Sequence, residues 1–366
     1  MNLDRIRSGF PYLSECTYLN TAKVGLSWSG QGKAAAAFYE LDKAQGSEGA
    51  MAWAAKTDAT KTQLAHLINV PSACIQFVGS TTEALHLVAA SLPLRRGDQV
   101  VFAADEFPSV MEVWQSWSQR GISFVRVPIP QEIERTDLLC AAVNSQTRVL
   151  AVSHVHWRTG TRVDLSRLHA VCAEHDCRLI VDGVQALGAI PVEAALADAY
   201  CASVFKWLLA GFGLGILALS ERLASELTPA VRGYANPAPS RSLRYGHVNF
   251  GGVYALHGTL DYLNSLGFGN IHARLKSLAQ YALHGLISRG FDVITPHTAF
   301  AGIVSIRHAQ APEVCRALAR QGIIVEDGEA LIRASPHFYN TEGDIDRFIA
   351  ALDALGPADG RRTKRA

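Results

Sequence analysis

The chain of 366 residues has no apolar stretch long enough to cross a bilayer. Its first residues, Met1-Asn2-Leu3-Asp4-Arg5, lead into no apolar run before a small-residue cleavage site, so no secretory signal is expected. An excess of one charge is missing as well. The 34 basic and 33 acidic side chains leave a net charge of +1, which argues against nucleic acid or a charged membrane surface as partner. Seven cysteines are present: Cys16, Cys74, Cys140, Cys172, Cys177, Cys201 and Cys315. Their number is odd and no two form a C-x-x-C pair, so neither a disulfide framework nor a zinc knuckle is indicated. Cys172 and Cys177 read as buried thiols at a helix end and a strand start. Low-complexity blocks and internal repeats are also lacking. These absences together predict a soluble cytoplasmic protein.

What is there is a chain 49% hydrophobic, enough for a large core. From about residue 32 to 245, helical patterns alternate with seven short apolar runs: Ile75–Val78, Gln99–Phe102, Ser123–Val127, Val149–Ser153, Arg178–Asp182, Tyr200–Val204 and Gly215–Leu219. Strands alternating with helices predict an α/β fold with a mostly parallel seven-stranded sheet covered on both faces. Past residue 246 the pattern changes to long helices over Val253–Leu266 and Ile271–Arg289. Shorter strands over Phe291–Thr295, Ile303–Arg307, Ile323–Glu326 and Leu331–Ala334 follow, then a helix over Glu342–Leu355. The expected organisation is an N-terminal segment (1–30) packed at the cleft, a large domain (31–245), a smaller α+β domain (246–357) and a basic disordered tail (358–366).

The most informative residues are Asp182 and Lys206. Val181-Asp182-Gly183-Val184-Gln185-Ala186-Leu187-Gly188 ends an apolar run on an acid. Lys206 follows 24 residues later in Ser203-Val204-Phe205-Lys206-Trp207-Leu208-Leu209, in apolar surroundings. A desolvated lysine is the group that condenses with the aldehyde of pyridoxal phosphate, and a carboxylate keeps the pyridine nitrogen protonated. Both residues fall just after strand-like runs, where open α/β sheets bind ligands.

Other motifs are weaker alone. Gly79-Ser80-Thr81-Thr82-Glu83-Ala84-Leu85 opens a helix after a strand and offers free amides and hydroxyls to a phosphate. An ordinary N-cap would look similar. Phe107, in Asp105-Glu106-Phe107-Pro108-Ser109, could stack on a planar ring or belong to the core. His154-Val155-His156 has alternate-residue metal spacing, but no third ligand accompanies it, so no metal is expected. Gly211–Gly215 lacks the downstream acid of a dinucleotide loop. Arg333 lies within an apolar strand and wants a carboxylate, either internal or on a substrate.

Taken in order, these segments resemble the class V aminotransferase family of fold type I pyridoxal-phosphate enzymes. The resemblance runs nearly end to end. It covers Tyr18-Leu19-Asn20-Thr21-Ala22, Thr81–Leu85, Glu106–Ser109, Ser153-His154-Val155, Thr159-Gly160, Asp182–Gly188, Lys206–Leu209 and Arg333–Thr341. It implies that Lys206 carries the internal aldimine, Asp182 pairs with the pyridinium and Gln185 contacts the phenolic oxygen. Thr82 and Ser203 would bind phosphate with Thr81 close by, Phe107 would stack on the ring, and Arg333 would hold the substrate α-carboxylate. A homodimer with its site near the interface is implied; His247 stands where relatives often have a threonine that reaches the partner subunit's phosphate, and would take over that contact. Asn20, Lys23, Trp157 and Arg158 are the other expected substrate contacts; Lys23 would meet an acidic substrate group or point to solvent. The cations Lys23 and Arg158 hint at an anionic or oxygen-rich side chain, unless the acidic loop Glu326–Glu329 neutralises them.

Cysteine desulfurases of this family need a cysteine just before the carboxylate-binding arginine. Here Ile324–Arg333 is short, acidic and free of cysteine. The expectation is a lyase that eliminates a group from Cβ, as C–S lyases do. A transaminase and an amino-acid epimerase, the latter in the manner of isopenicillin N epimerase, are the alternatives. A pyridoxal-phosphate-binding regulator without turnover is a further one.

Overall fold

A computed structural model describes residues 2–130 and 134–356. The expected basic tail at 358–366 lies outside the described residues. All seven runs form one sheet, in the order Ile75–Val78, Gly215–Leu219, Ala199–Ser203, Arg178–Asp182, Thr147–Ser153, Gln99–Ala103, Ser123–Val127. Four of its six pairings are parallel; both pairings of Gly215–Leu219 are antiparallel. The central strands are buried residue by residue, as both-face coverage demands.

That one reversed strand matters for the site. Because Gly215–Leu219 runs against both neighbours, the edge strand Ile75–Val78 points the same way as the parallel strands. Val78, Ala103, Ser153, Asp182 and Ser203 therefore all end at one edge of the sheet, where ligands bind in such folds.

Local chemistry sets the helix starts. Ser80 caps Thr81–Ser91 by accepting from the Glu83 amide, and Asp164 caps Leu165–Glu174 through the Ser166 and Arg167 amides. Thr341 and Asp344 form a capping box on Glu342–Leu355.

Two C-terminal expectations change. Phe291–Thr295 is not a strand; only Val293 bridges to Ile306. The Thr295 hydroxyl accepts from the Ser305 amide at 2.9 Å, taking a bond that a backbone ladder would have used. The run Ile323–Glu326 splits in two. Ile323–Ile324 pairs in parallel with Thr17–Tyr18 near the N-terminus, while Glu326–Gly328 forms a hairpin with Leu331–Ala334. That hairpin joins Val304–Arg307 in a three-stranded sheet. The N-terminal segment also touches the large sheet's edge, where the Gly25 amide donates to Phe205 O at 3.0 Å. A Cβ on Gly25 would sit 2.0 Å from Lys206 O, so only glycine allows this approach. Among the described residues no helix is long and apolar enough to cross a membrane.

Candidate active site

A cavity of about 250 Å³ opens at the converging strand ends. Thr81, Thr82, Phe107, Trp157, Asp182, Gln185, Ser203 and Lys206 line it, with Ser80, Ser109, Ser153 and Val184. Most of the residues singled out from the sequence thus meet in one place.

Asp182 ends its strand fully enclosed, 3% exposed. One carboxylate oxygen accepts from the Val184 amide at 2.9 Å; the other has no hydrogen-bond partner among the described residues. Burial raises its pKa well above the ordinary carboxylate value, against the pull of the Val184 amide and Lys206; Glu106 adds to the rise. Lys206 is shifted the other way. Burial lowers its amine below the ordinary lysine value, Asp182 resists, and the charge of Arg333 lowers it further. Lys206 makes no ion pair within hydrogen-bonding reach among the described residues; its ammonium lies 5.6 Å from the Phe205 ring. The backbone turns sharply behind it. Leu209 takes a left-handed φ of 57° while fully buried, and its amide donates to Lys206 O. A buried leucine tolerates that conformation only where its surroundings impose it.

Gln185 is clamped. Its Nε2 donates to Ala22 O at 2.9 Å and its Oε1 accepts from Trp207 Nε1 at 2.8 Å. One Nε2 hydrogen is left for the cavity. At the other end, Ser203 Oγ accepts from the Thr81 amide at 2.8 Å and Thr81 Oγ1 accepts from the Ser203 amide at 2.8 Å. Thr82 Oγ1 meets Ser109 Oγ at 2.7 Å. This is a ring of hydroxyls around the first turn of a helix, the arrangement that receives phosphate. Phe107 packs edge-on against Trp157 with ring centroids 5.5 Å apart.

A sequence description of the family named Aminotransferase class-V matches residues 33–348. The chain belongs to this family. Among its relatives, the cysteine desulfurase of Salmonella agona (strain SL483) is 28% identical over 399 residues, covering 96% of this chain and 98% of the relative. The uncharacterized aminotransferase YcbU of Bacillus subtilis (strain 168) is 27% identical over 311 residues, covering 82% of this chain and 84% of the relative. Two solved structures share the fold. The apo cysteine desulfurase of Thermococcus onnurineus NA1 superposes with a TM-score of 0.89 at 21% identity, over 98% of both chains. The cystine C–S lyase C-DES, in complex with cysteine persulfide, gives 0.88 at 21% identity over 95% of this chain and 100% of that one.

As a class V enzyme the protein uses pyridoxal 5'-phosphate, and its residues fit that group. An unpartnered carboxylate oxygen, a desolvated amine, an aromatic wall and a hydroxyl-ringed helix N-terminus surround one cavity.

Of the substrate-side residues Trp157 lines that cavity, while Arg333, Lys23, Asn20 and Arg158 lie outside its lining. Arg333 is 7% exposed; its Nη1 donates to Trp157 O at 2.6 Å and its Nε is buried without a partner. No carboxylate of the described residues pairs with it. Burial lowers its pKa to about 10, so it stays charged at neutral pH. Lys23, its side chain 58% exposed, pairs with Glu326 at 2.8 Å. Asn20 Nδ2 donates to the same carboxylate at 2.9 Å. Arg158 pairs with Glu329 at 2.8 Å and covers the Trp157 ring. His247 sits apart, in a second cavity of about 220 Å³ with Gly79, Glu83 and Tyr245, its ring tilted 51° to that of Tyr234 with centroids 4.8 Å apart.

His154 and His156 are engaged separately. His154 Nδ1 meets Tyr200 Oη at 3.2 Å and burial lowers its pKa to about 3; His156 meets Thr159 Oγ1 and Asp105 O. Residues not singled out from the sequence also matter here. Ser80, Ser109 and Ser153 line the cavity, and Glu106 is buried beside it against Ser153. Their position at strand ends was the available signal.

Proposed function

We propose that this enzyme is a lyase that removes a sulfur group from Cβ of an amino acid, without a persulfide-carrying cysteine. One observation carries the reading. The strand Glu326–Gly328 turns straight into Leu331–Ala334, with Gly328 opposite Leu331, so only Glu329 and Ala330 form the turn ahead of Arg333. No thiol can be presented there. Cys315, the nearest cysteine in sequence, is buried on the helix Ala311–Arg320, and burial pushes its pKa up to about 12. A thiol that does not ionise is a poor nucleophile.

When bound, pyridoxal phosphate supplies an electron sink that acidifies the Cα proton of an attached amino acid. The residues then divide the work. Lys206 Nζ, its pKa lowered by burial, takes that proton as general base. The Cβ–S bond breaks with its electron pair leaving on sulfur, and hydrolysis of the three-carbon remainder gives pyruvate and ammonia. Asp182 holds the ring-nitrogen proton, Gln185 faces the phenolic oxygen and Phe107 covers the ring. Thr81, Thr82 and Ser203 hold the phosphate. Arg333 receives the α-carboxylate, with Trp157 O fixing one arm of its fork. Lys23, Arg158 and Asn20 frame the side-chain end. Both cations there are already neutralised by Glu326 and Glu329, which favours a neutral substrate side chain such as a cysteine S-conjugate.

The reading includes a homodimer. Phe212 and Tyr234 are 66% and 64% exposed, which supports a self-association face, and the exposed His247, its ring 4.8 Å from that of Tyr234, would reach a partner's phosphate. Sedimentation of the purified protein tests that: a monomer at micromolar concentration overturns it.

The deciding assay adds cysteine S-conjugates to the cofactor-loaded enzyme. Pyruvate and ammonia, absent with Lys206→Ala, support the lyase. Accumulating pyridoxamine phosphate would instead mark an aminotransferase, as the Bacillus relative is named. Inversion at Cα without either product would mark an epimerase. Cofactor binding with no turnover of any amino acid would mark a regulator.

A further inference from the structure

Behind the cavity wall lies a buried run of charges that the mechanism above does not use. Arg135, 3% exposed, donates through Nη2 to Glu106 at 3.1 Å and through Nη1 to Asp105 at 3.0 Å. Glu106, 2% exposed, accepts from the Ser153 amide at 3.1 Å and from the Ser153 hydroxyl. Ser153 is the register partner of Asp182 on the neighbouring strand. At the far end His156 Nε2 contacts Asp105 O at 3.0 Å. Asp105, Arg135 and His156 line a different cavity, of about 400 Å³.

We propose that Glu106, Arg135, Asp105 and His156 form a positioning element for Asp182, in which Arg135 neutralises Glu106 so that Asp182 alone presents an uncompensated carboxylate to the ring nitrogen. The inference rests on the reading that Asp182 faces that nitrogen.

The surroundings of Asp182 are countable. Tyr200 and Cys201 face it from the adjacent strand, and burial pushes both well above their ordinary values, so they stay neutral. His154 packs on Tyr200 and is neutral too. That leaves Lys206 and Glu106 as the charged groups acting on it. Lys206 favours the carboxylate form and Glu106 opposes it. An isolated glutamate in this position would push the proton onto Asp182, because two like charges sharing a buried site cannot both ionise cheaply. Arg135 limits this: with Glu106 paired to it, the glutamate still adds to the rise at Asp182 but comes last among the causes, behind burial. Burial works against its own charge, but Glu106 and Asp105 outweigh that and raise its pKa. Pairing Arg135 with two carboxylates, and tying Glu106 to Ser153 by two bonds, also locks the loop after Gln99–Ala103 to the end of Thr147–Ser153.

The test is the dissociation constant of pyridoxal phosphate measured by equilibrium dialysis from pH 5 to 9. In the parent protein affinity falls on the acid side as Asp182 takes up a proton. In Arg135→Met that limb moves to higher pH by about one unit or more, and affinity at pH 7 drops about tenfold. Arg135→Met with Glu106→Gln removes both charges and brings the limb back to its parent position or slightly below it. A purely structural role for Arg135 would lower affinity without moving the limb, and the second change would not rescue it; either result overturns the proposal. Should Arg135→Met not fold, Glu106→Gln alone decides: its limb moves to lower pH, and an unmoved limb overturns the proposal. Asp182→Asn separates the two levels. If it binds the cofactor as the parent does at every pH, the ring-nitrogen reading fails; if it binds weakly while Arg135→Met is unchanged, only the positioning element fails.

Discussion

Glu326 stands directly opposite Arg333 across the hairpin, yet its carboxylate is bonded to Lys23 and Asn20 and not to the arginine. Arg333 is left buried, charged and without an acidic partner among the described residues. A guanidinium in that state costs stability unless an anion completes it. The hairpin therefore supplies its own acid to the mouth of the site while keeping Arg333 open to a carboxylate from outside.

Replacing Arg333 by methionine should raise KM for the amino-acid substrate far more than it lowers kcat. A charge-assisted bond to a carboxylate is worth about 1.5–3 kcal/mol, or roughly 10- to 150-fold. Steady-state kinetics on a substrate and on its decarboxylated amine checks this. The parent should discriminate strongly between the two and Arg333→Met hardly at all; equal discrimination in both proteins would rule the contact out.

Glu326→Gln should move the acid limb of kcat to lower pH. Glu326 is one of the charges that raise the Lys206 pKa, so losing it lets the amine stay neutral, and hence basic, in more acidic solution. The shift is expected to be less than about one unit, because Glu326 stands behind burial, Asp182 and Arg333 among the causes. A limb moving to higher pH contradicts the electrostatics described.

Periodicity and strand-end position were enough to place Asp182, Lys206, Ser203 and the Thr81–Thr82 turn at one edge of a sheet, since each follows an apolar run directly. Four of the seven strands, such as Arg178–Asp182 and Gly215–Leu219, have the expected bounds. The pairing of Lys23 with Glu326 was hidden because the two lie 303 positions apart in the chain and meet only through the register of the hairpin and the N-terminal segment. Phe291–Thr295 looked like a strand because it is a short run rich in aromatic and β-branched residues; the Thr295 hydroxyl takes part of the ladder's role. Arg135 gave no signal at all, sitting at the start of an ordinary helical pattern.

Trp207→Phe should destabilise the protein and loosen Gln185. The indole donates to Gln185 Oε1 in a site where Trp207 is 1% exposed, so the phenyl ring leaves a buried carbonyl unpaired. Such a group costs about 1–3 kcal/mol. Urea unfolding of the apoprotein measures the loss. The companion Gln185→Leu/Trp207→Phe removes both polar ends and should recover part of it; no recovery would mean the indole acts by packing alone.

The pair Asp182 and Lys206 should make the apoprotein less stable than an apolar replacement would. Asp182 holds its proton more tightly in the folded chain than in the unfolded one, because burial raises its pKa. The resulting cost is absent in acid, grows as pH rises from the ordinary carboxylate range through the folded pKa, and is fully present above it. Lys206 is shifted downward by burial, so its cost is full below its folded pKa and fades as pH rises toward the ordinary lysine value. At neutral pH both costs are in force, offset in part by the attraction between the two. Asp182 and Lys206 attract each other without hydrogen-bonding contact, so burial is less well offset here than in a close ion pair, and replacing even a close buried pair with neutral residues of similar size commonly stabilises by about 1–4 kcal/mol. Asp182→Asn/Lys206→Met should accordingly unfold at higher urea than the parent apoprotein at pH 7. At pH 4 the gain should shrink toward the Lys206 share, because Asp182 is then protonated in the folded chain. The same variant should retain almost no affinity for pyridoxal phosphate. A double variant less stable than the parent at pH 7 would mean that the pair holds the fold together, and that burial of these two charges serves structure before chemistry.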